Sequence, residues 1–183
     1  MSGPQPEWIT TSVESLRLRF AIPGDAGLVL DFIQRLAVYE KLAHEVEASE
    51  QDIHDAMFGP RPVAETVLAF YGQEAVGFAL FFENFSTFRG KPGLYLEDLF
   101  VEPEARGLGV GRTLLAFLAR IARQRGYSRM EWSVLDWNTP AIEFYRTLGA
   151  EAMGDWTVFR LKEEEMETLA RSFPSPATRS PAS

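Results

Sequence analysis

The pattern of hydrophobic and polar positions in the first third of the chain predicts one strand and two helices. Leu16–Phe20 alternates apolar and basic residues, which is typical of a strand with one buried face. Apolar residues at near-helical spacing predict a helix from Ala26 to Glu40. A second helix is predicted from Ser49 through Phe58, ended by a Gly-Pro pair.

The middle of the chain predicts antiparallel strands. Val63–Phe70 and Glu74–Phe82 flank a Tyr-Gly-Gln turn and form a predicted hairpin. Phe85–Lys91 is expected to be a loop. It precedes the apolar run Leu94–Val101, which carries two adjacent carboxylates and predicts a central strand.

The remaining chain predicts alternating helices and strands. In order, these are a helix over Thr113–Arg125, a strand over Arg129–Leu135, a helix over Thr139–Leu148, a strand over Trp156–Leu161 and a helix over Lys162–Ser172. The sequence therefore predicts a single domain over residues 15–172. Residues 1–14 are expected to be a flexible leader, and residues 173–183 a disordered tail rich in Pro, Ser and Ala.

Composition narrows the functional classes. The net charge of −8 disfavours nucleic acid as a partner and is compatible with a cationic substrate. The chain has no cysteine, which excludes disulfides and a thiol nucleophile, and two histidines are too few to suggest a metal site. No apolar run has the length of a membrane span and no signal peptide is evident, so a cytoplasmic location is expected.

A glycine-rich turn follows the central strand and precedes a helix. Gly107, Gly109 and Gly111 would expose backbone N–H groups near a positive helix end, which is an arrangement that binds anions. A dinucleotide-binding turn is the competing interpretation, and Glu131 lies about where a ribose-binding acid would fall. That turn has the spacing Gly-x-Gly-x-x-Gly, however, and here the third glycine is misplaced.

Two motifs carry a family resemblance. Arg106-Gly-Leu-Gly-Val-Gly111 resembles the signature of the GCN5-related N-acetyltransferases, and Trp137-Asn138 followed by Tyr145 and Gly149 is similar to that family's second motif. The resemblance extends from about Leu16 to Ala170. It implies an α/β (α+β) fold with a mixed, mostly antiparallel central sheet and helices on both faces. It also implies acetyl-CoA as co-substrate, with no metal.

The resemblance further implies which residues bind acetyl-CoA. Backbone N–H groups of Leu99, Phe100 and Val101 would polarise the thioester carbonyl and hold the pantetheine arm like a neighbouring strand. The pyrophosphate would lie in the loop made of Arg106, Gly107, Leu108, Gly109, Val110, Gly111 and Arg112. Asn138 and Pro140 complete the implied donor site.

Acetyl transfer to an amine requires a base and an acid. The resemblance implies Glu97 as the base, acting through a water, and Tyr145 as the acid that protonates the departing thiolate. Asp98 should face the opposite side of the strand, because side chains alternate, unless a bulge intervenes. The resemblance implies such a bulge or splay, so Asp98 is a candidate electrostatic partner of the substrate. Without cysteine, direct transfer in a ternary complex is expected.

The acceptor site is predicted from two segments. Tyr39 and Glu40 resemble a motif in the spermidine/spermine acetyltransferase branch and could hold an ammonium, although a solvated helix end is the alternative. Glu131, Trp132 and Ser133 match a strand that borders the substrate in those enzymes. Ser86-Thr87 stands where polyamine enzymes tend to carry aspartate, as in related thialysine N-acetyltransferases, which favours a short amino-acid-like amine.

The expected activity is acetyl-CoA-dependent N-acetylation of a small-molecule primary amine, either thialysine-like or a polyamine. A protein N-acetyltransferase and a non-catalytic acyl-CoA sensor are the alternatives. The resemblance also implies a homodimer. Aromatic residues of the last predicted strand, Trp156 and Phe159, could contribute to its interface, and a role in the core would explain them equally well.

Overall fold

The computed structural model describes residues 7–173, and the chain divides into two compact units, Met1–Asn138 and Thr139–Ser183. The first unit contains a six-stranded sheet whose strands lie in chain order. The strands are β1 (Ile9–Thr10), β2 (Leu16–Phe20), β3 (Glu65–Tyr71), β4 (Glu74–Ser86), β5 (Lys91–Val101) and β6 (Met130–Trp132). Neighbours pair antiparallel except β5 and β6, which are parallel. The predicted mixed, mostly antiparallel sheet is confirmed.

Three helices accompany the sheet in the first unit: α1 (Ala26–Glu40), α2 (Glu50–Phe58) and α3 (Val110–Gln124). Ser49 and Asp52 form a capping box at the start of α2, because each side chain accepts a hydrogen bond from the other residue's backbone N–H. The second unit contains α4 (Thr139–Thr147) and α5 (Glu163–Arg171).

Apolar side chains cover both faces of the sheet. On one face, Phe32 of α1 is buried and stacks on Phe78 of β4, with ring centroids 5.4 Å apart. On the other face, Phe117 of α3 contacts Phe20 of β2, with centroids 5.9 Å apart, and Leu114 is fully buried. Helices therefore lie on both faces, as predicted, and α1 and α3 hold β5 between them.

Several boundaries differ from the predictions, and four of these differences bear on the description of the fold. Residues 7–14 are not merely a leader: Ile9–Thr10 form β1, and Trp8 contacts the Phe70 ring edge to face at 5.1 Å. Strand β4 extends to Ser86, which the sequence placed in a loop. Strand β6 has three residues where seven were predicted. Helix α3 begins at Val110, within the glycine turn.

The predicted strand over Trp156–Leu161 is wrong, because these residues form no strand within the described part of the chain. An alternating apolar segment becomes a strand only where a neighbouring strand satisfies its backbone groups. Trp156, Val158 and Phe159 are instead highly exposed. Most of the predicted tail, residues 174–183, lies outside the described residues, so its disorder stays a prediction.

Candidate active site

Strand β5 loses one of its two neighbours halfway along its length. Parallel pairing with β6 joins Leu94–Leu96 to Met130–Trp132 and ends there. In the ladder with β4, Leu80 pairs with Asp98 and Phe81 pairs with Leu96, so Glu97 is the extra residue of a β-bulge. The predicted bulge and splay are both present. Within residues 7–173, the edge of β5 from Glu97 to Val101 that faces away from β4 pairs with no strand.

The loop after β5 has the backbone geometry of an anion site. Gly107 and Gly109 have φ angles of 78° and 85°, in the left-handed region that favours glycine. In the described part of the chain, the N–H groups of Gly107, Gly109 and Val110–Arg112 donate to no protein acceptor. They lie at the N-terminus of α3, where the helix dipole is positive. These residues fit the pyrophosphate of a nucleotide-linked donor.

The carboxylates of Glu97 and Glu40 act on that of Asp98 at the start of the bulge. Burial raises the pKa of Asp98 to about 6, and the negative charges of Glu97 and then Glu40 add to the effect. Burial also raises the pKa of Glu40. Among residues 7–173, none of the three forms an ion pair with Lys, Arg or His. The group can therefore receive a cation from outside the chain.

Tyr39 contacts protein groups on its ring and on its hydroxyl. The Arg106 guanidinium lies over the ring, 4.7 Å from its centroid, and the Trp137 ring is centred 6.0 Å away. The Tyr39 hydroxyl donates to Asn138 Oδ1 at 3.1 Å. Arg106 also donates from Nε to the Val101 carbonyl at 3.0 Å. One face of the Tyr39 ring is therefore already in contact with a cation of the protein.

Glu131 has a different environment from the three carboxylates of the bulge. Its Oε2 accepts from Arg129 Nε at 2.8 Å and from Asn84 Nδ2 at 2.9 Å. Ser133 is exposed and shares a 3.0 Å hydrogen bond with the Tyr95 hydroxyl, and Trp132 is half-buried at the end of β6. The structure thus places the three predicted residues beside the paired part of β5, where Glu131 already has a cation.

Ser86 is 4% exposed, and its Oγ accepts from Arg129 Nη1 and from the Arg89 N–H, both at 3.3 Å. Arg129 therefore connects two predicted substrate-side positions, Ser86 and Glu131. Sequence reasoning missed Arg129 and Asn84. The signal for Arg129 was its position two residues before Glu131, a spacing that places both side chains on one face of a strand. That spacing does not include Asn84.

Tyr145 and Pro140 belong to the second unit. Tyr145 lies on α4, half-buried, with its ring centroid 5.5 Å from that of Phe144. Pro140 is the second residue of α4. Glu97 belongs to the first unit, so the pairing of Glu97 with Tyr145 across a substrate stays a prediction.

The described residues also bear on a membrane-spanning helix and on a metal site. No helix among residues 7–173 has the length and hydropathy needed to cross a bilayer. The same residues contain no group of three or more His, Asp or Glu side chains arranged to hold a metal ion.

Known proteins place this site in a class. The profile of the Acetyltransferase (GNAT) family matches residues 31–150, which include β5, the glycine loop and the Asn138–Tyr145 region. The chain belongs to this family of acetyltransferases.

Individual relatives are similar over most of the chain. The thialysine N-epsilon-acetyltransferase of Bos taurus is 38% identical over 164 residues, covering 84% of this chain and 96% of that protein. L-ornithine N5-acetyltransferase NATA1 of Arabidopsis thaliana is 29% identical, covering 84% and 87%. Among solved structures, an integron cassette protein from V. cholerae superposes with a TM-score of 0.72 at 27% identity, covering 86% and 99%.

Proposed function

We propose that this protein transfers an acetyl group from acetyl-CoA to the primary amine of a small, amino-acid-like molecule. One observation carries the proposal. Glu97 and Asp98 of β5 lie with Glu40, at the end of α1, in a cluster of carboxylates that has no ion-pair partner among residues 7–173, and β5 leads into a loop whose N–H groups have no acceptor in that part of the chain. The cluster suits a cationic acceptor and the loop suits an anionic donor, so one strand presents both reactants to each other.

The donor would be held by backbone groups. N–H groups of the glycine loop bind the pyrophosphate, and the exposed Arg112 adds positive charge at the helix start. The unpaired edge of β5 at Leu99, Phe100 and Val101 binds the pantetheine arm as a sheet edge binds a peptide. Asn138, whose Oδ1 accepts a hydrogen bond from the Tyr39 hydroxyl, would also contact the donor. When bound, acetyl-CoA supplies the thioester-activated acetyl group.

The carboxylates would bind the acceptor and deprotonate it. A lysine-like ammonium with a pKa near 10.4 costs about 4.6 kcal/mol to neutralise at pH 7. Asp98, ionised above pH 6, attracts the ammonium together with Glu40. Glu97, exposed at the bulge, accepts the proton through a water. Such general-base assistance is worth about 10² to 10⁴ in rate.

Tyr145 would supply the second proton. A phenol hydroxyl is acidic enough to protonate a thiolate leaving group. The neutral nitrogen would then attack the thioester carbon, so that a C–N bond forms while the C–S bond breaks and its electron pair leaves with the sulfur. The ammonium would lose two protons in all, one to Glu97 before attack and the other to solvent after it, and the sulfur would gain one from Tyr145. Each side chain returns to its starting state by exchange with solvent.

The acceptor class is supported by the named relatives. Two of them are named for thialysine and ornithine, which are amino acids with a side-chain amine. Ser86, at the position where polyamine enzymes tend to carry aspartate, is buried and adds no charge. A polyamine is the second candidate, since the relatives also include a spermidine/spermine acetyltransferase-like protein, at 31% identity.

A homodimer and a cytoplasmic location stay predictions from the sequence. The exposed side chains of Trp156, Val158 and Phe159 support an association between copies of the chain, because exposed apolar patches often mark interfaces. Light scattering on the full chain checks the dimer, and a monomer at micromolar concentration would exclude it under those conditions.

Release of the coenzyme A thiol tests the proposed activity. Acetyl-CoA is mixed with thialysine, ornithine, lysine, spermidine or a peptide with a free N-terminus, and kcat/KM is compared. We expect the three amino acids to exceed spermidine and the peptide by at least about tenfold. A preference for the peptide would identify a protein N-acetyltransferase instead, and no thiol release with any amine would contradict the proposed activity.

A further inference from the structure

Helix α1 contacts the donor loop through two side chains on the same face. Arg35 and Tyr39 are four residues apart, a spacing that places them one above the other. The Arg35 guanidinium pairs with Glu102 at the end of β5 through a 2.6 Å Nη1–Oε1 contact. One turn later, the Tyr39 ring lies under the Arg106 guanidinium at 4.7 Å. Helix α1 therefore contacts the chain at Glu102, directly after β5, and at Arg106, the first residue of the glycine loop.

The same tyrosine reaches a second predicted donor contact. Its hydroxyl donates to Oδ1 of Asn138, at 3.1 Å, and Asn138 is only 6% exposed. The hydrogen bond fixes which end of the Asn138 amide accepts it, so the Nδ2 donor end is set as well. One side chain thus connects the arginine that begins the glycine loop with the asparagine that follows β6.

We infer that Tyr39 is a positioning residue for the acyl donor, in addition to forming one border of the acceptor site. Its ring orients Arg106 toward the donor phosphates, and its hydroxyl orients Asn138. The inference rests on the proposed function, because it assumes that Arg106 and Asn138 face acetyl-CoA. It adds to the role expected from sequence, since one face of the ring is in contact with Arg106.

The two halves of Tyr39 can be tested separately. Tyr39→Phe keeps the ring and removes the hydroxyl, so the dissociation constant for coenzyme A should stay within about twofold while kcat falls about fivefold. Tyr39→Leu removes both, so coenzyme A should bind about three- to tenfold more weakly as well. Tyr127→Phe and Phe88→Leu are matched controls. Tyr127 follows the C-terminal end of α3, opposite the glycine loop, and Phe88 lies in the turn between β4 and β5, so both variants should leave coenzyme A binding unchanged.

A double-mutant cycle decides whether the ring acts through Arg106. Calorimetry with coenzyme A is run on wild type, Tyr39→Leu, Arg106→Gln and the double variant. If the ring positions Arg106, Tyr39→Leu should have almost no further effect once Arg106 is replaced. Two independent, additive losses would overturn the inference, as would unchanged binding in Tyr39→Leu. If Tyr39→Leu does not fold, the kcat-only loss in Tyr39→Phe remains the test, and unchanged kcat there overturns the role of the hydroxyl.

The outcome is distinguishable from failure of the proposed function. If wild type binds coenzyme A and the Tyr39 variants bind it equally well with equal kcat, only the positioning role fails. If wild type does not bind coenzyme A, the proposed function itself fails.

Discussion

Glu131 and Asp98 are both carboxylates beside the central strand, but their surroundings in the structure differ. Glu131 lies where β5 and β6 are still paired, and its carboxylate is held by Arg129 and Asn84. Asp98 lies just past the point where β6 ends, and within residues 7–173 it has no cationic partner. The paired sheet brings side chains from neighbouring strands into contact, so charges there are neutralised internally. Where the ladder stops, the carboxylates keep their charge for a ligand.

The largest effect should come from the candidate base. Glu97→Gln should lower kcat by about 10²-fold or more, because it removes general-base assistance and keeps the shape of the side chain. Glu131→Gln is the matched control and should change kcat by less than about threefold. The measurement is thiol release at saturating acetyl-CoA. Equal losses of kcat in the two variants would contradict the different roles inferred for Glu97 and Glu131.

The next largest effect should come from Tyr145, the candidate acid that protonates the departing thiolate. Tyr145→Phe should lower kcat at least about tenfold, with little change in the affinity for acetyl-CoA, because only the departing thiolate needs its proton. Steady-state kinetics and coenzyme A calorimetry measure the two quantities. Near-normal turnover would remove Tyr145 from the mechanism and leave solvent as the proton source.

The pH dependence of acceptor binding should report Asp98. With its pKa raised to about 6 by burial and by the charges of Glu97 and Glu40, Asp98 is ionised above that pH and neutral below it. The KM for the amine should therefore rise about tenfold between pH 7.5 and pH 5 in wild type. In Asp98→Asn, KM should be high throughout and nearly independent of pH. A pH profile of Asp98→Asn that matches wild type would assign the titration to another group.

The smallest effect concerns stability. The pKa of Asp98 is higher in the folded protein than its ordinary value of 3.8, so the folded state keeps a proton that the unfolded state loses. The contribution of Asp98 to the free energy of unfolding should therefore fall as pH rises from about 4 to about 6 and be constant above. At pH 7.5, Asp98→Asn should therefore be more stable than wild type, by about 1–3 kcal/mol.

At pH 3.5 the same comparison should show almost no difference, since both side chains are then neutral. Urea unfolding at the two pH values measures it, and Glu131→Gln serves as control, with no gain at pH 7.5. A loss of stability in Asp98→Asn would mean that the carboxylate contributes to folding as Glu131 does. A gain of stability would fit a binding site whose unpaired carboxylate lowers the stability of the fold.

Local patterns were enough to predict β2, α1, the central strand and the glycine-rich turn before α3, because alternation, helical spacing and glycine chemistry act over a few residues. The contacts that assign roles depend on distant residues. Tyr39 bonds to a residue 99 positions away, and Asn84 bonds to one 47 positions away. The same reason explains the error at Trp156–Leu161: its apolar alternation is local, but a strand also needs a partner.

Because the pairing of β5 with β6 ends at Leu96, the two halves of β5 should differ in their rates of amide hydrogen exchange in the unliganded protein. In the paired half, Leu94–Leu96 has a neighbour on each side and should exchange slowly. Beyond Leu96, amides that point away from β4 face no strand formed by residues 7–173, and they should exchange quickly until a donor binds. Deuterium uptake within Glu97–Val101 would then drop on addition of coenzyme A, so the bound molecule would act as the missing length of β6.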